Sequence, residues 1–248
     1  MPRAYLPLAL VCLIAACDGS NPTEPTRPPT LSRTRFLAFG DSITAGEVTV
    51  PIGVIAEGRT GGLFQVPNTR MVLVPSASYP TQLLSLLQAR YATQAASIAV
   101  KNAGVPAENV LDGARRFAET LAVSGADVTL VMEGVNGLSI AGPDISTELI
   151  RSMVRTARSI SVTVFVGSMI PTIPGRPRSQ VPEQLVAYNT KLQQMSVEEG
   201  VTFVDLYSVL LPEVNTVIGV DGLHPTEVGY KRIADVFFTA IQANLEVK

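Results

Sequence analysis

The chain of 248 residues is poor in the side chains that bind metals or form disulfides. It has one histidine, His224, and two cysteines, Cys12 and Cys17, both near the N-terminus. A site built from two or more imidazoles is therefore excluded, and the body of the chain has no thiol for a disulfide or a zinc site. A calcium site made only of carboxylates is the one kind of metal site that this composition leaves open, and nothing in the sequence supports it. We expect no metal and no cofactor to take part in the function.

Strong charge of either sign is also missing. Charged residues make up 16% of the chain, the formal net charge is -2, and no basic stripe with interleaved aromatic residues occurs. This composition argues against nucleic acid as a partner. Hydrophobic residues make up 46%, which is typical of a folding chain, and residues 35–248 are numerous enough to bury one core without disulfides or metals.

The first 17 residues are typical of an export signal. Arg3 precedes an apolar run, Tyr5 to Ala16, that has the length of a signal-peptide core and is too short to span a bilayer. Ile14-Ala15-Ala16-Cys17 resembles a bacterial lipobox, which predicts cleavage before Cys17 and lipidation of its thiol. We expect an extracytoplasmic lipoprotein anchored to a membrane, in the periplasm or at the cell surface. The alternative is an ordinary signal peptide and a secreted product.

Residues 18–34 separate this leader from the rest of the chain. They contain four prolines among Ser, Thr and Asn: Pro22, Pro25, Pro28 and Pro29. The composition predicts an extended, solvated tether, with a disordered N-terminus as the alternative, and places the folded domain at residues 35–248.

Short apolar runs alternate with segments of helical period from Arg35 onward. The strands are expected at Phe36 to Phe39, Ser97 to Val100, Asp127 to Met132, Val162 to Val166 and Val201 to Leu206. The helices are expected at Tyr79 to Tyr91, Glu108 to Ala122, Ile145 to Ile160, Pro182 to Glu199 and Thr226 to Leu245.

Several of the expected strands are nearly continuous in Val, Ile, Leu and Phe, which indicates parallel strands covered on both faces. The alternation predicts an α/β fold, a three-layer α/β/α sandwich around a mostly five-stranded parallel sheet. Ligands bind such sheets beyond the carboxyl ends of the strands.

A candidate nucleophile follows the first strand, in Gly40-Asp41-Ser42. Glycine permits a tight turn there, and Ser42 would begin a helix with its hydroxyl facing the crevice; a purely helix-capping serine is the alternative. The G-x-S-x-G elbow of the α/β-hydrolases does not fit, because Thr44 stands where the second glycine is required.

A candidate base and its carboxylate stand in Asp221-Gly222-Leu223-His224, just before the last helix. Serine is a weak nucleophile that needs a base, and an imidazole oriented by a carboxylate supplies one. A compact turn at Gly222 would bring both side chains to one side of the loop. A histidine without any special role is the alternative, but its neighbours favour catalysis.

Together, Gly40-Asp41-Ser42, Gly134-Val135-Asn136 and Asp221-x-x-His224 resemble three of the four blocks of the SGNH (GDSL) hydrolase family, in the family's order over residues 35–245. The resemblance implies that Ser42 attacks an ester carbonyl and lends its N–H to the oxyanion. It also implies that His224 is the general base, that Asp221 orients it, and that Asn136 donates its amide to the same oxyanion.

The second block departs from the family pattern. Asn102 is followed five residues later by Ala107, where the family usually has the glycine whose N–H completes the oxyanion hole. Alanine keeps the N–H, but a positive φ would strain it by about 1 kcal/mol or more. Gly104 could replace it only in a rearranged loop. A second departure is Gly137, where the family typically has Asp after Asn136.

Two loops are expected beside the crevice. The segment between Gly46 and Tyr79 is interpreted as an insertion that shapes the substrate pocket or forms a lid. The stretch from Ile170 to Arg178 is expected to border the crevice from another strand end. Its two arginines, Arg176 and Arg178, would either meet an anionic group or simply be solvated.

The expected function is that of a cofactor-independent carboxylic ester hydrolase with an acyl-enzyme on Ser42. The substrate would be a small-molecule, lipid or glycan ester, and activity should rise as pH crosses the range in which an imidazole loses its proton. Ala107 and Gly137 motivate one alternative, a noncatalytic surface lipoprotein that binds a glycan or lipid. Another is an acyltransferase that uses the same triad.

Overall fold

The computed structural model describes Met1, residues 27–51 and residues 69–247. The predicted signal peptide, the lipidation site Cys17 and most of the tether lie outside the described residues, as do residues 52–68 of the predicted insertion. Within the described part, no helix combines the length and the apolar character needed to cross a membrane.

The strands and helices are numbered in chain order. The strands are β1 (Thr30–Leu31), β2 (Arg35–Gly40), β3 (Glu47–Pro51), β4 (Thr69–Leu73), β5 (Ala99–Gly104), β6 (Val128–Met132), β7 (Thr163–Gly167), β8 (Thr202–Val204) and β9 (Glu246–Val247). The α-helices are α1 (Ser42–Ala45), α2 (Tyr79–Arg90), α3 (Val110–Ser124), α4 (Leu138–Ser159), α5 (Pro182–Glu198), α6 (Leu206–Leu210), α7 (Val214–Val217) and α8 (Glu227–Leu245). Three 3₁₀ turns lie at Ala92–Ser97, Val135–Gly137 and Leu211–Glu213.

A parallel sheet of five strands in the order β5-β2-β6-β7-β8 forms the centre of the domain. Every residue of β6 is buried, as the continuous apolar run predicts. Helices α2 and α8 pack together, and α4 packs between α3 and α5. The three-layer α/β/α architecture predicted from the sequence is confirmed. Because the chain reverses its direction of winding at β2, the ends of β5, β2 and β6 border the switch point where such sheets bind ligands.

Aromatic pairs join the helices to each other and to the sheet. Tyr79 of α2 stacks on Phe237 of α8 at 5.2 Å, and Phe39 of β2 meets Phe117 of α3 edge to face at 4.9 Å. All four rings are at most 1% exposed. Each pair adds about 0.5–1.5 kcal/mol to the apolar burial, so one pair fixes α2 to α8 and the other fixes α3 to β2, the strand that precedes Ser42.

Several boundaries differ from the prediction for physical reasons. The strand expected at Ser97 to Val100 is β5, which runs on to Gly104; it is an edge strand, so exposed Lys101 is tolerated and the apolar signal stops early. Helix α4 begins at Leu138, not Ile145, because its first turns precede a break at Gly142 (φ 72°) and Pro143. The last of the predicted strands, expected at Val201 to Leu206, is β8 and ends at Val204, since Asp205 already caps α6 through its side chain.

Two small sheets were not expected. The segment interpreted as an insertion begins and ends as an antiparallel pair, β3 with β4. Thr30 and Leu31, which the composition assigns to the tether, pair with β9, and Leu31 is 4% exposed. Prolines and polar residues dominate the sequence around Thr30 and Leu31, so the composition predicts a loop. Their pairing could not be predicted from it, because it depends on the position of β9, which is distant in sequence.

Candidate active site

Ser42 lies at the carboxyl end of β2, as the motif predicts. Asp41 caps α1, its Oδ1 accepting a 2.9 Å hydrogen bond from the N–H of Ile43, and Ser42 is the first residue of that helix. The side chain of Asp41, not that of Ser42, therefore satisfies the capping role, which leaves the hydroxyl of Ser42 for another partner.

Asp221 and His224 lie in the loop before α8 and meet Ser42 across 182 residues of sequence. Oδ2 of Asp221 lies 2.6 Å from Nδ1 of His224, and Nε2 of His224 lies 3.0 Å from Oγ of Ser42. A carboxylate only accepts hydrogen bonds, so Nδ1 carries the ring proton and Nε2 accepts from the hydroxyl. The three side chains predicted from the sequence are thus in one hydrogen-bonded line.

The turn between Asp221 and His224 requires glycine. Gly222 has φ 84°, and a Cβ added there would lie 2.3 Å from Cβ of Arg176. The predicted bordering stretch packs directly on this loop: Ile173 N–H donates to the carbonyl of Gly222 and Arg178 N–H to that of Asp221, both at 2.9 Å. The side chains of Arg176 and Arg178 are exposed. Backbone contacts, not the arginine charges, connect this stretch to the candidate site.

Asp221 is buried and fully engaged. Its Oδ1 accepts from the N–H groups of Leu223 and His224, at 3.0 and 3.1 Å, and Oδ2 accepts from Oγ1 of Thr49 at 2.7 Å. Burial raises the pKa of Asp221, but the hydrogen bonds from His224, Thr49 and Leu223 outweigh it and lower the pKa to about 2. The carboxyl is therefore ionised at any pH at which the imidazole can act as a base.

Two residues of β3 join the site without having been predicted. Thr49 contacts Asp221, and Oε2 of Glu47 lies 3.7 Å from Nε2 of His224. Alternate residues of a strand point to the same side, so Glu47 and Thr49 face the triad together. The alternation of polar and apolar residues in Glu47-Val48-Thr49-Val50 could have indicated a strand with Glu47 and Thr49 on one face. It lies, however, in the segment that we interpreted as an insertion.

Asn136 follows β6 in a 3₁₀ turn, and its amide Nδ2 donates a 2.8 Å hydrogen bond to the carbonyl of Glu108. Glu108 comes directly after Ala107 in the loop that leaves β5. The amide therefore ties the loop after β6 to the loop after β5, so the residues of the second and third blocks are neighbours. Gly137, which replaces the family's Asp, is buried against Val110, where a Cβ would lie 3.1 Å from Cγ1.

Ala107 has φ 61° and so adopts the left-handed conformation that glycine would adopt without strain. The N–H of Gly104, the alternative donor, is occupied by a 2.9 Å hydrogen bond to Oδ1 of Asn102. A cost of about 1–2 kcal/mol is typical of an L-residue in this region. Ala107 therefore holds, at that cost, a backbone conformation that glycine adopts freely.

A cluster of buried carboxyl groups, with one partly buried arginine, lies behind these loops. Nε of Arg116 binds Oε1 of Glu108 at 2.6 Å, and its Nη2 donates to the carbonyls of Gly40 and Ala103 at 3.2 and 2.9 Å. Arg116 therefore connects the ends of β2 and β5. In the same cluster, burial raises the pKa of Asp41 to about 7, against the hydrogen bond from Ile43 and the charge of His224.

Glu133 is the least compensated member of this cluster. It is 1% exposed, and neither carboxyl oxygen has a hydrogen-bond partner among the described residues. Burial and the nearby carboxyls of Asp41 and Glu108 raise its pKa well above the usual range, while Arg116 opposes this. Within residues 27–51 and 69–247, no group of three or more His, Cys, Asp or Glu side chains is arranged to hold a metal ion.

Several solved structures share this fold. The lipase/acylhydrolase of Enterococcus faecalis superposes with a TM-score of 0.64 at 21% identity, over 87% of this chain and 98% of that one. Axe2, an acetylxylan esterase of Geobacillus stearothermophilus, superposes with a TM-score of 0.62 at 21% identity, over 85% and 94%. LAE5, an α/β hydrolase from the metagenome of Lake Arreo, gives 0.63 at 18% identity, over 85% and 95%.

Sequence comparison gives the family. No curated protein sequence matches the chain significantly. The profile of the GDSL-like lipase/acylhydrolase family, however, matches residues 38–232, a span that begins in β2 just before Ser42 and ends in α8 beyond His224. This protein therefore belongs to the GDSL-like lipase/acylhydrolase family.

Proposed function

We propose that this protein is a serine esterase that hydrolyses carboxylic esters through an acyl-enzyme on Ser42. One observation carries the proposal: the hydroxyl of Ser42 lies 3.0 Å from Nε2 of the chain's sole histidine, whose other nitrogen lies 2.6 Å from Asp221. A serine, an imidazole and a carboxylate in this line are the parts of a nucleophilic triad.

In the acylation step, His224 takes the proton of Ser42 as Oγ attacks the ester carbonyl. The ionised carboxyl of Asp221 holds the Nδ1–H tautomer and stabilises the imidazolium that forms. The imidazolium then returns the proton to the leaving alcohol, which departs as the acyl-enzyme forms. Water repeats the sequence on the acyl-enzyme and releases the acid.

The negative charge on the carbonyl oxygen needs hydrogen-bond donors. We assign this role to the N–H groups of Ser42 and Ala107 and to the side-chain amide of Asn136. An amide has two N–H bonds, and the one that binds the carbonyl of Glu108 orients the group while the other stays available. Removing a donor of this kind typically lowers kcat by about a hundredfold or more, so Asn136→Ala should lower kcat with little change in KM.

Labelling with a fluorophosphonate probe tests the proposal. The wild type should react at Ser42 and release nitrophenol from nitrophenyl esters, and Ser42→Ala should do neither. Ser85→Ala is the matched control, because Ser85 is exposed on α2 and its hydroxyl donates to the carbonyl of Thr81 in the same helix. A folded wild type that neither labels nor turns over would overturn the proposal and support a noncatalytic binding protein.

A series of nitrophenyl esters from acetyl to palmitoyl defines the acyl group. The solved structures with this fold include a protein named an acetylxylan esterase and one named a lipase/acylhydrolase, so the series covers both short and long acyl groups. Product analysis with added acceptor alcohols separates hydrolysis from acyl transfer, because a transferase would yield the new ester in preference to the acid.

We also propose, from the sequence, that the enzyme is exported and anchored through a lipid on Cys17. The lipobox-like Ile14-Ala15-Ala16-Cys17 supports this. Metabolic labelling with palmitate should mark the wild type and not Cys17→Ser, with Cys12→Ser as the matched control. Equal labelling of Cys17→Ser would contradict the anchor.

A further inference from the structure

Glu47 has a buried carboxylate oxygen that nothing in the mechanism above explains. Its side chain is 11% exposed, and Oε2 has no hydrogen-bond partner within the part of the chain that the structure describes. Leaving a buried acceptor unpaired costs about 1–3 kcal/mol, more for a charged group. Such an atom is expected to meet a donor that arrives with the substrates.

The position of Glu47 is set by three elements. Glu47 begins β3 and pairs with Leu73 of β4, and its carbonyl accepts a hydrogen bond from the hydroxyl of Tyr230 on α8. Thr49, on the same side of β3, binds Asp221. The strand that supports the orienting carboxylate on one side of the imidazole therefore holds a second carboxylate on the other.

The distance between Oε2 of Glu47 and Nε2 of His224 is informative. At 3.7 Å it is too long for a direct hydrogen bond. It is short enough for one oxygen atom to lie within hydrogen-bond distance of both. Once Ser42 is acylated, its Oγ no longer supplies a proton to Nε2, and the group that belongs at Nε2 is the attacking water.

We propose that Glu47 is a further catalytic residue of this site: its Oε2 binds the second proton of the hydrolytic water and thereby selects water over alcohols. This inference rests on the proposed esterase function. A water molecule has two O–H bonds, one for Nε2 and one for Glu47. An alcohol has a single O–H, which Nε2 takes, so its carbon substituent would face the carboxylate oxygen and leave it without a donor.

The step balances without any other reactant. The water oxygen bonds to the acyl carbon, one of its protons moves to Nε2 of His224, and the other stays on the oxygen in a hydrogen bond to Glu47. The tetrahedral intermediate then breaks its bond to Oγ of Ser42, and Nε2 returns the proton to Oγ. The product leaves as a carboxylic acid that carries the second water proton and loses it to solvent.

The partition of the acyl-enzyme between water and methanol is the discriminating measurement. A nitrophenyl ester is turned over in buffer with methanol, and the ratio of methyl ester to free acid is measured. This ratio does not depend on how much enzyme is active. A carboxylate near Nε2 would also stabilise the imidazolium, but it would do so equally when water attacks and when methanol attacks, so that effect cancels in the ratio. A loss of folding or of general electrostatic support would lower the rate and leave the ratio unchanged.

Glu47→Ala should raise the ratio of ester to acid about tenfold, the value of one charge-assisted hydrogen bond lost by water alone. Glu47→Gln should fall between Glu47→Ala and the wild type, because an amide oxygen accepts more weakly. Both variants should also accumulate acyl-enzyme, seen as a burst of nitrophenol. Glu119→Gln, an exposed carboxyl on α3, is the matched control and should keep the wild-type ratio.

Three results would overturn the role of Glu47. A ratio unchanged within about twofold in both variants, or one that falls, would show that the carboxylate does not select water. A wild type that neither releases nitrophenol nor reacts with a fluorophosphonate would remove the esterase function and this inference with it. The first two results leave the esterase function intact, so the two failures are distinguishable.

Discussion

Thr49 Oγ1 donates a 2.7 Å hydrogen bond to Oδ2 of Asp221, the same oxygen that contacts the imidazole of His224 at 2.6 Å. In the proposed mechanism the hydroxyl would act on the imidazole of His224 through the carboxylate, and Thr49 would be a positioning residue. Thr49 precedes Asp221 by 172 residues, so the contact ties the segment after Ser42 to the loop that carries Asp221 and His224.

Thr49→Val should lower kcat/KM about tenfold, because a hydrogen bond to a charged group contributes about 1.5–3 kcal/mol. Thr49→Ser retains the hydroxyl and should restore most of the activity. Steady-state kinetics on a nitrophenyl ester measure both. Equal losses in the two variants would assign the effect to packing of the methyl group and not to the hydrogen bond.

The same substitution should change stability in acid. The folded-state pKa of Asp221 is lowered from 3.8 to about 2, so the stability that this carboxyl contributes is present above pH 3.8 and is lost as pH falls toward 2. Thr49→Val raises that pKa and so removes part of this contribution. The difference in unfolding free energy between wild type and Thr49→Val should shrink from pH 6 to pH 2.5, measured by urea denaturation; a constant difference would contradict the linkage.

Glu133→Gln should change stability in the opposite pH range. The folded-state pKa of Glu133 is raised above 4.5, so the folded protein keeps a proton that the unfolded chain loses, and stability falls as pH rises beyond 4.5. The slope is up to about 1.4 kcal/mol per pH unit for one group. Glutamine abolishes this slope, so the stability of Glu133→Gln relative to wild type should increase from pH 5 to pH 8. Glu119→Gln, exposed on α3, should show no such trend.

Ala107→Gly should stabilise the protein. Ala107 and Ser161 both have φ 61°, the described non-glycine residues with positive φ. Glycine relieves strain of about 1–2 kcal/mol and gives back about 0.4–1 kcal/mol as entropy of the unfolded chain. A net gain of about 0.5–1 kcal/mol is expected for Ala107→Gly and for the matched Ser161→Gly, measured by urea denaturation. Since glycine keeps the N–H, kcat of Ala107→Gly should stay within a few-fold of wild type; a large loss would show that the methyl group itself matters.

Gly222→Ala should lower kcat/KM by about a hundredfold or more, because displacement of a catalytic group by about 1 Å has this effect. The added Cβ would lie 2.3 Å from Cβ of Arg176 and push the loop that carries Asp221 and His224. Gly200→Ala is the matched control: φ there is 62°, but none of the described atoms lies within 4 Å of the added Cβ. Gly200→Ala should lose stability and keep activity, and equal activity of the two variants would contradict the steric argument.

Much of the fold was predictable because its determinants are local. Every residue of β6 is buried, so a continuous apolar run in the sequence is enough to identify a strand covered on both faces. The prediction was wrong at the end of β5, where exposed Lys101 lies in an edge strand, and at the start of α4, where Gly142 breaks the backbone and the helix resumes. In both places tertiary position outweighs the local pattern.

In the candidate site, too, some residues could be predicted from local sequence and others could not. Ser42, Asp221 and His224 were identifiable as candidates because short motifs beside strand ends and a unique histidine mark them. Thr49 and Glu47 were not identifiable, since a threonine and a glutamate in an alternating segment are ordinary for any strand. Only the position of β3 beside the imidazole distinguishes them.

The amino-acid sequence by itself determined which chemical groups exist, their order on strands and helices, and the alternation that builds a parallel sheet, because periodicity is a property of neighbouring residues. The tertiary structure decided which groups touch: the 3.0 Å contact across 182 residues, the left-handed backbone at Ala107, and the second carboxylate facing Nε2. Such contacts depend on strand register and helix packing, which arise only when distant segments bury their apolar faces together.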